Sequence, residues 1–118
     1  MRLLVIEDDE TLRETLVQKL SDSGFAVEQA ADGTEGLYFA EEYPVDLAII
    51  DLGLPGMSGL DIIRKVRADG KTYPILILTA RAQPVDREAA IAAQADDYMP
   101  KPFAPNELLA KVNELMAN

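Results

Sequence analysis

Val45-Asp46-Leu47-Ala48-Ile49-Ile50-Asp51 is a short apolar run that ends on a carboxylate, and Leu52-Gly53-Leu54-Pro55-Gly56 behind it is turn material. Together they read as a buried β-strand with an acid at its C-terminal tip. In an open α/β sheet, chemistry gathers outside the carboxyl ends of the strands. Three other stretches have the same form. Leu3-Leu4-Val5-Ile6 runs into Glu7-Asp8-Asp9, Ile75-Leu76-Ile77-Leu78 into Thr79, and Asp97-Tyr98-Met99 into Pro100-Lys101-Pro102. Acids, a hydroxyl and an amine are thus aimed at one sheet edge, with Asp51 in the middle.

The segments between these strands carry helical signals. Leu12, Leu16, Val17 and Leu20 recur at helical spacing behind an N-cap at Asp9, and Ser23-Gly24 closes that helix. Its polar residues Glu10, Arg13, Glu14, Gln18 and Lys19 are expected to face water. Phe25 to Glu28 reads as a short second strand. Asp32 or Thr34 caps a helix running to about Tyr43, packing through Gly36, Leu37, Phe39 and Ala40; a glycine inside it points to close packing or a weak helix. Ser58 caps a third helix, with Asp61 completing a capping box; Leu60, Ile63 and Val66 or Arg67 form its buried side and Ile62 flanks it. Pro84 opens a fourth, alanine-rich from Ala89 to Ala95 and expected to be the most loosely packed, because alanine has little area to bury. Pro105 opens the last, with Leu108, Leu109, Val112, Leu115 and Met116 as its stripe.

The order βαβαβαβαβα predicts an α/β fold, a doubly wound five-stranded parallel sheet with right-handed crossovers. Length and order fit the flavodoxin-like arrangement (βα)5, strand order 2-1-3-4-5, which makes Asp8 and Asp51 spatial neighbours. The chain of 118 residues is expected to be a single domain, 1–118.

Composition narrows the chemistry. Formal net charge is -10, which argues against non-specific binding to DNA or to an anionic membrane. There is no Cys and no His, so thiol nucleophiles, imidazole bases, Cys- or His-ligated metals and histidine phosphocarriers are excluded. No apolar run approaches transmembrane length, and a cytoplasmic location is the expectation. Neither a Gly-rich P-loop nor a Gly-x-Gly-x-x-Gly motif supports nucleotide binding.

Glu7, Asp8 and Asp51 form a cluster of like charges that a cation would relieve, and oxygen-only donors favour hard Mg²⁺. Lys101, braced between two prolines, is placed to pair with Asp51 or with a phosphoryl group bound there. A metal site, a lysine, the Thr79 hydroxyl and exposed backbone N–H groups around one aspartate are the parts needed to transfer a phosphoryl group onto it. Alone, a lysine or threonine would be an ordinary surface residue, Asp9 a helix cap, and Tyr98 half-buried packing.

The sequence resembles the receiver domain of bacterial two-component response regulators. The resemblance rests on Leu4-Val5-Ile6-Glu7-Asp8-Asp9, on Asp46 through Gly59, on Leu78-Thr79-Ala80-Arg81 and on Ala95 through Phe103, and spans essentially the whole chain. It implies that Asp51 is the phosphoacceptor. It further implies that Asp8, Asp51 and the backbone carbonyl of Gly53 bind Mg²⁺ directly, with Glu7 acting through water. Lys101 and Thr79 would contact phosphoryl oxygens, Thr79 and Tyr98 would form a switch pair, and Gly53 and Arg81 would tune phosphoryl lifetime. The implied partner is a sensor histidine kinase. The chain would catalyse its own aspartyl phosphorylation and dephosphorylation, with no reaction on an external metabolite.

The first eighty residues look most like the OmpR/PhoB-type subfamily, PhoP-like members above all. Those proteins carry a winged-helix DNA-binding domain after the receiver, which is not among these residues, so DNA contact is expected only through such a domain. In the second half, Arg87, Asp97, Glu107 and Lys111 keep part of the subfamily's charged dimer face. Ala93, Glu114 and Asn118 depart from it, and Gln94 replaces a usual glycine. The expectation is therefore a resting monomer, with at most a weak phosphorylation-dependent homodimer through helix four, strand five and helix five. Two other readings carry less support. A pseudo-receiver serving only as a docking module is disfavoured by retention of the acids, Thr79 and Lys101. A Mg²⁺-dependent phosphatase of similar topology is disfavoured by Gly53, where a second acid would be needed.

Overall fold

The computed structural model describes residues 1–80 and 84–117. The apolar run near the start of the chain is β1 (Arg2–Ile6), and the other elements follow in strict alternation. They are α1 (Glu10–Asp22), β2 (Ala26–Ala30), α2 (Gly33–Glu42), β3 (Leu47–Asp51) and α3 (Gly59–Ala68), then β4 (Ile75–Thr79), α4 (Pro84–Ala92), β5 (Asp97–Pro100) and α5 (Pro105–Met116). The strands form one parallel sheet in the order β2-β1-β3-β4-β5. This is the doubly wound arrangement expected from the sequence.

Strand residues alternate between two cores. Leu4, Ile6, Ala48, Ile50, Ile75 and Ile77 face α2, α3 and α4, whereas Leu3, Val5, Leu47, Ile49, Leu76 and Leu78 face α1 and α5. With both faces covered, continuous apolar strands are the stable solution. The middle strands β3 and β4 are buried along their whole length.

Helix ends follow local chemistry. The Asp9 carboxylate accepts from the Leu12 amide at 3.0 Å, and Gly24 takes a left-handed φ of 95° past the end of α1. Asp32, and not Thr34, caps α2, accepting from Glu35 N at 2.8 Å. Gly36 inside α2 is there for contact, because a Cβ would lie 2.7 Å from Ile6 side-chain atoms.

Four expectations are corrected. The second strand starts at Ala26 and runs to Ala30, because pairing with β1 carries it on to the Ile6↔Ala30 level; the Phe25 amide is used by Leu20 O at the end of α1. The capping box at α3 is half made. Ser58 Oγ accepts from Asp61 N, but the Asp61 carboxylate turns to Arg64. Ile62 is fully buried rather than flanking, because α3 sits under both α2 and the sheet, while Leu60 is only half-buried. Arg13 is only partly exposed, folding back over the end of β1.

The described side chains of α4 bury less apolar area than those of α3, in the direction expected. The helix α3 buries Ile62, Ile63 and Val66, each contributing roughly 1.5–3 kcal/mol. Among its described side chains α4 buries only Ala90, and Ile91 is 63% exposed.

Candidate functional site

Strand register builds the site. Ile6 pairs with Ile50, so Glu7 and Asp51 are the next residues on adjacent strands, and Thr79 pairs with Pro100, one residue before Lys101. Glu7, Asp8 and Asp51 each place a carboxylate oxygen within 4.8 Å of the others. Glu7 is fully buried, Asp51 is 6% exposed, Thr79 is buried, and Asp8 is open to solvent. Lys101 Nζ lies 2.7 Å from Glu7 Oε1 and 3.5 Å from Asp51 Oδ1. The other Glu7 oxygen accepts from Asp9 N at 3.1 Å, and Asp51 Oδ1 accepts from Gly53 N at 3.3 Å. The Lys101 backbone is held in turn, its N–H donating to Thr79 O at 2.7 Å. Asp51, Leu52, Gly53, Thr79, Ala80 and Lys101 line a cleft of about 210 Å³.

Electrostatics confirm a site out of balance. Burial pushes the Glu7 carboxyl above its ordinary value, and the neighbouring Asp51 charge adds to this, against the opposing hydrogen bonds from Lys101 and Asp9. For Lys101, burial alone would lower the value. The hydrogen bond to Glu7 and the charges of Asp51 and Glu7 outweigh it, so the ammonium is held above its ordinary range. Three carboxylates thus face one ammonium. The donor set is all oxygen, strongly anionic and tightly spaced, which suits a hard divalent cation such as Mg²⁺.

Comparison with known proteins gives the family. Residues 3–113 match the response regulator receiver domain. The chain belongs to that family. It is 53% identical over 116 residues to the two-component response regulator PhoP of Pseudomonas aeruginosa, a match covering 98% of this chain and 52% of PhoP. Response regulator MprA of Mycobacterium avium is 44% identical over 98% of this chain and 51% of its own length. Both relatives are of the OmpR/PhoB type. This receiver chain therefore spans about half the length of the curated relatives it matches. Among solved structures, Vibrio cholerae chemotaxis protein CheY4 superposes with a TM-score of 0.91 at 33% identity, covering 97% of each chain. A CheY-like receiver domain protein from Methanospirillum hungatei gives 0.94 at 31% identity, covering 98% of this chain and 93% of the other.

Beyond the acids, the receiver places Thr79 and Tyr98 along one narrow cleft, together with Leu52, Ile77, Asp86, Arg87 and Ala90. Tyr98 is half-buried, and the Arg87 guanidinium lies 5.2 Å from its ring centre. On the same face Lys111 pairs with Asp97 at 2.9 Å and approaches Glu114 at 3.6 Å, while Glu107 is exposed. Ala93 is buried rather than presented. Arg81 and Asn118 lie outside the described residues. No helix among the described residues is long and apolar enough to cross a membrane.

Two groupings escaped the sequence reading. Arg13 joins α1 to the Glu7 carbonyl, and Arg67 joins α3 to the segments before β4 and β5. A long basic side chain at a helix position adjoining the sheet edge is the only signal the sequence offers for either.

Proposed function

We propose that Asp51 is the phosphoacceptor of this receiver, taking a phosphoryl group from a sensor histidine kinase or a small phosphodonor in a Mg²⁺-dependent step. The observation that carries the reading is the buried Asp51 carboxylate, gathered with Glu7 and Asp8 within 4.8 Å and faced by Lys101 at 3.5 Å. Asp8, Asp51 and the Gly53 carbonyl would hold the metal, with Glu7 acting through water. Bound there, Mg²⁺ would supply positive charge to offset that of the phosphoryl oxygens. The Asp51 oxygen attacks phosphorus, and the donor leaves with the electrons of the bond it had to phosphorus. Lys101 and Thr79 would contact the phosphoryl oxygens.

The consequence is a switch. A dianionic group on Asp51 draws Thr79 toward it, and the cleft this vacates is lined by Tyr98. Because α4 has little apolar area holding it, the surface of α4, β5 and α5 can respond at low energetic cost. Asp97 is already engaged by Lys111 and Asp96 by Arg67, which supports a resting monomer and at most a weak dimer after phosphorylation. Lifetime of the acyl phosphate would be tuned by Arg81 and Gly53. A Cβ at position 53 would stand 4.0 Å from Asp51 Oδ2 with nothing nearer, so the approach to Asp51 is open there. By the same reading the protein works in the cytoplasm, and reaches DNA only through a C-terminal domain of the kind its relatives' length allows.

Intact-mass analysis after incubation with a small phosphodonor tests this. A mass gain is expected with Mg²⁺ and not without it, and Asp51→Ala should remove it. A phosphoryl group mapped to another residue, or no gain at all, overturns the assignment. Sedimentation with and without beryllofluoride reads the dimer; a tight dimer in the untreated protein would refute the resting monomer.

A further inference from the structure

We infer that Arg13 is a positioning residue for the acid cluster, fixing the peptide unit that joins Glu7 to Asp8; this rests on the metal site proposed above. The β1 ladder ends at Ile6, paired with Ala30 on one side and Ile50 on the other. Glu7 keeps one sheet bond, its N–H donating to Ala30 O at 3.0 Å. Its carbonyl has passed the last registered pair. Arg13 Nη1 supplies the partner, donating to Glu7 O at 2.9 Å.

That carbonyl and the Asp8 N–H belong to one rigid plane. Holding the carbonyl therefore sets the direction in which Asp8 leaves the strand. The guanidinium is itself held. Its Nε donates to Gln29 Oε1 on β2 at 3.1 Å, and the Arg13 backbone N–H closes the first turn of α1 on Asp9 O at 2.8 Å. The fork thus ties β1, β2 and α1 together just behind the acids. A lysine has the charge but lacks the planar fork that reaches two acceptors at once. Partners of this kind, which orient metal ligands without touching the metal, are commonly worth about 10- to 100-fold in affinity.

The sign of the effect separates positioning from charge. Removing a cation near a cation site strengthens Mg²⁺ binding by Coulomb's law, whereas releasing the Glu7–Asp8 peptide weakens it. The test is calorimetric titration of Mg²⁺ into the metal-free chain, far below its melting temperature, for wild type, Arg13→Ala, Arg13→Lys and Gln29→Ala. Binding by Arg13→Ala is expected to be about tenfold weaker, with Arg13→Lys between it and wild type. Gln29→Ala, which removes no charge, should weaken binding in the same direction and by less. Wild-type binding with Arg13→Ala equal or tighter overturns the inference alone. Absence of Mg²⁺ binding in wild type instead overturns the proposed metal site, and this inference with it. Should Arg13→Ala fail to fold, Gln29→Ala decides, and an affinity equal to wild type counts against the role.

Discussion

The two ends of the sheet each hold an ion pair, and they are built on opposite plans. At the end away from the acids, Arg67 donates to Gln94 O, Lys71 O, Tyr73 O and Asp96 Oδ2. Asp96 Oδ2 also accepts from the Ile75 amide at 2.7 Å. One cation meets one anion, and the remaining donors meet carbonyls, so the cluster is closed in charge and in hydrogen bonds. At the strand tips, Lys101 faces Glu7 and Asp51 with Asp8 beside them, leaving an excess of negative charge at a partly open cleft. A balanced cluster needs nothing further and serves as a clamp. An unbalanced one is held in place by the fold and is relieved by something that binds.

The largest expected effect comes from removing the imbalance. Asp51→Asn should lose all phosphoryl uptake by intact mass, yet raise the metal-free stability by ~1 kcal/mol in a denaturant titration, because one of the crowded charges is gone. A destabilised variant would show that the acids were not repelling one another. Next, Mg²⁺ at about 100 times its dissociation constant should stabilise wild type by ~2.7 kcal/mol, and Asp8→Ala should abolish the gain. This effect has a pH sign. The Glu7 carboxyl is held above its ordinary 4.5, so its protonation removes negative charge beside the proposed metal site while unperturbed carboxylates are still ionised, and Mg²⁺ affinity should fall as pH drops toward that raised value. Without metal the same shift works the other way. Glu7 adds most to stability below its unfolded value and progressively less as pH rises through its folded one, whereas the raised Lys101 keeps its contribution until pH passes above its ordinary 10.5.

The clamp should answer differently. Arg67→Ala is expected to cost ~2 kcal/mol of stability, discounted for the partial exposure of Asp96, while leaving phosphoryl uptake intact. Loss of uptake in a folded Arg67→Ala protein would break the division between the two ends. The smallest effect concerns Gln94, whose φ of 73° is left-handed and whose carbonyl the clamp uses. Gln94→Gly should gain ~0.5 kcal/mol, because relief of the side-chain clash is partly offset by the greater freedom of glycine in the unfolded chain. A lower melting temperature would mean that any strain there is smaller than the entropic cost of glycine.

Legibility followed burial. The continuous apolar runs of β1, β3 and β4 are recognisable because both faces of a central parallel strand are covered, and their short length and flanking turn residues set them apart from a buried helix. The edge strand β2 mixes Glu28 and Gln29 with small residues, so its extent is set by pairing with β1 and not by its own pattern. The caps Asp9 and Ser58, and the choice of Asp32 or Thr34 for α2, are legible because a cap acts within three residues of itself.

The sequence by itself determined the alternation of elements, the acids at the strand tips and, through the strand order that such alternation favours, the meeting of Asp8 with Asp51. These are consequences of local pattern and of the handedness of βαβ crossovers. Only the tertiary structure decided which carboxylate Lys101 touches most closely, that Arg13 leaves the solvent face of α1 to hold the Glu7 carbonyl, and that Arg67 closes the opposite end. Periodicity says where a Cβ points. A long basic side chain reaches several ångströms beyond that, and its head group goes to whichever acceptor the packed backbone has left without a partner.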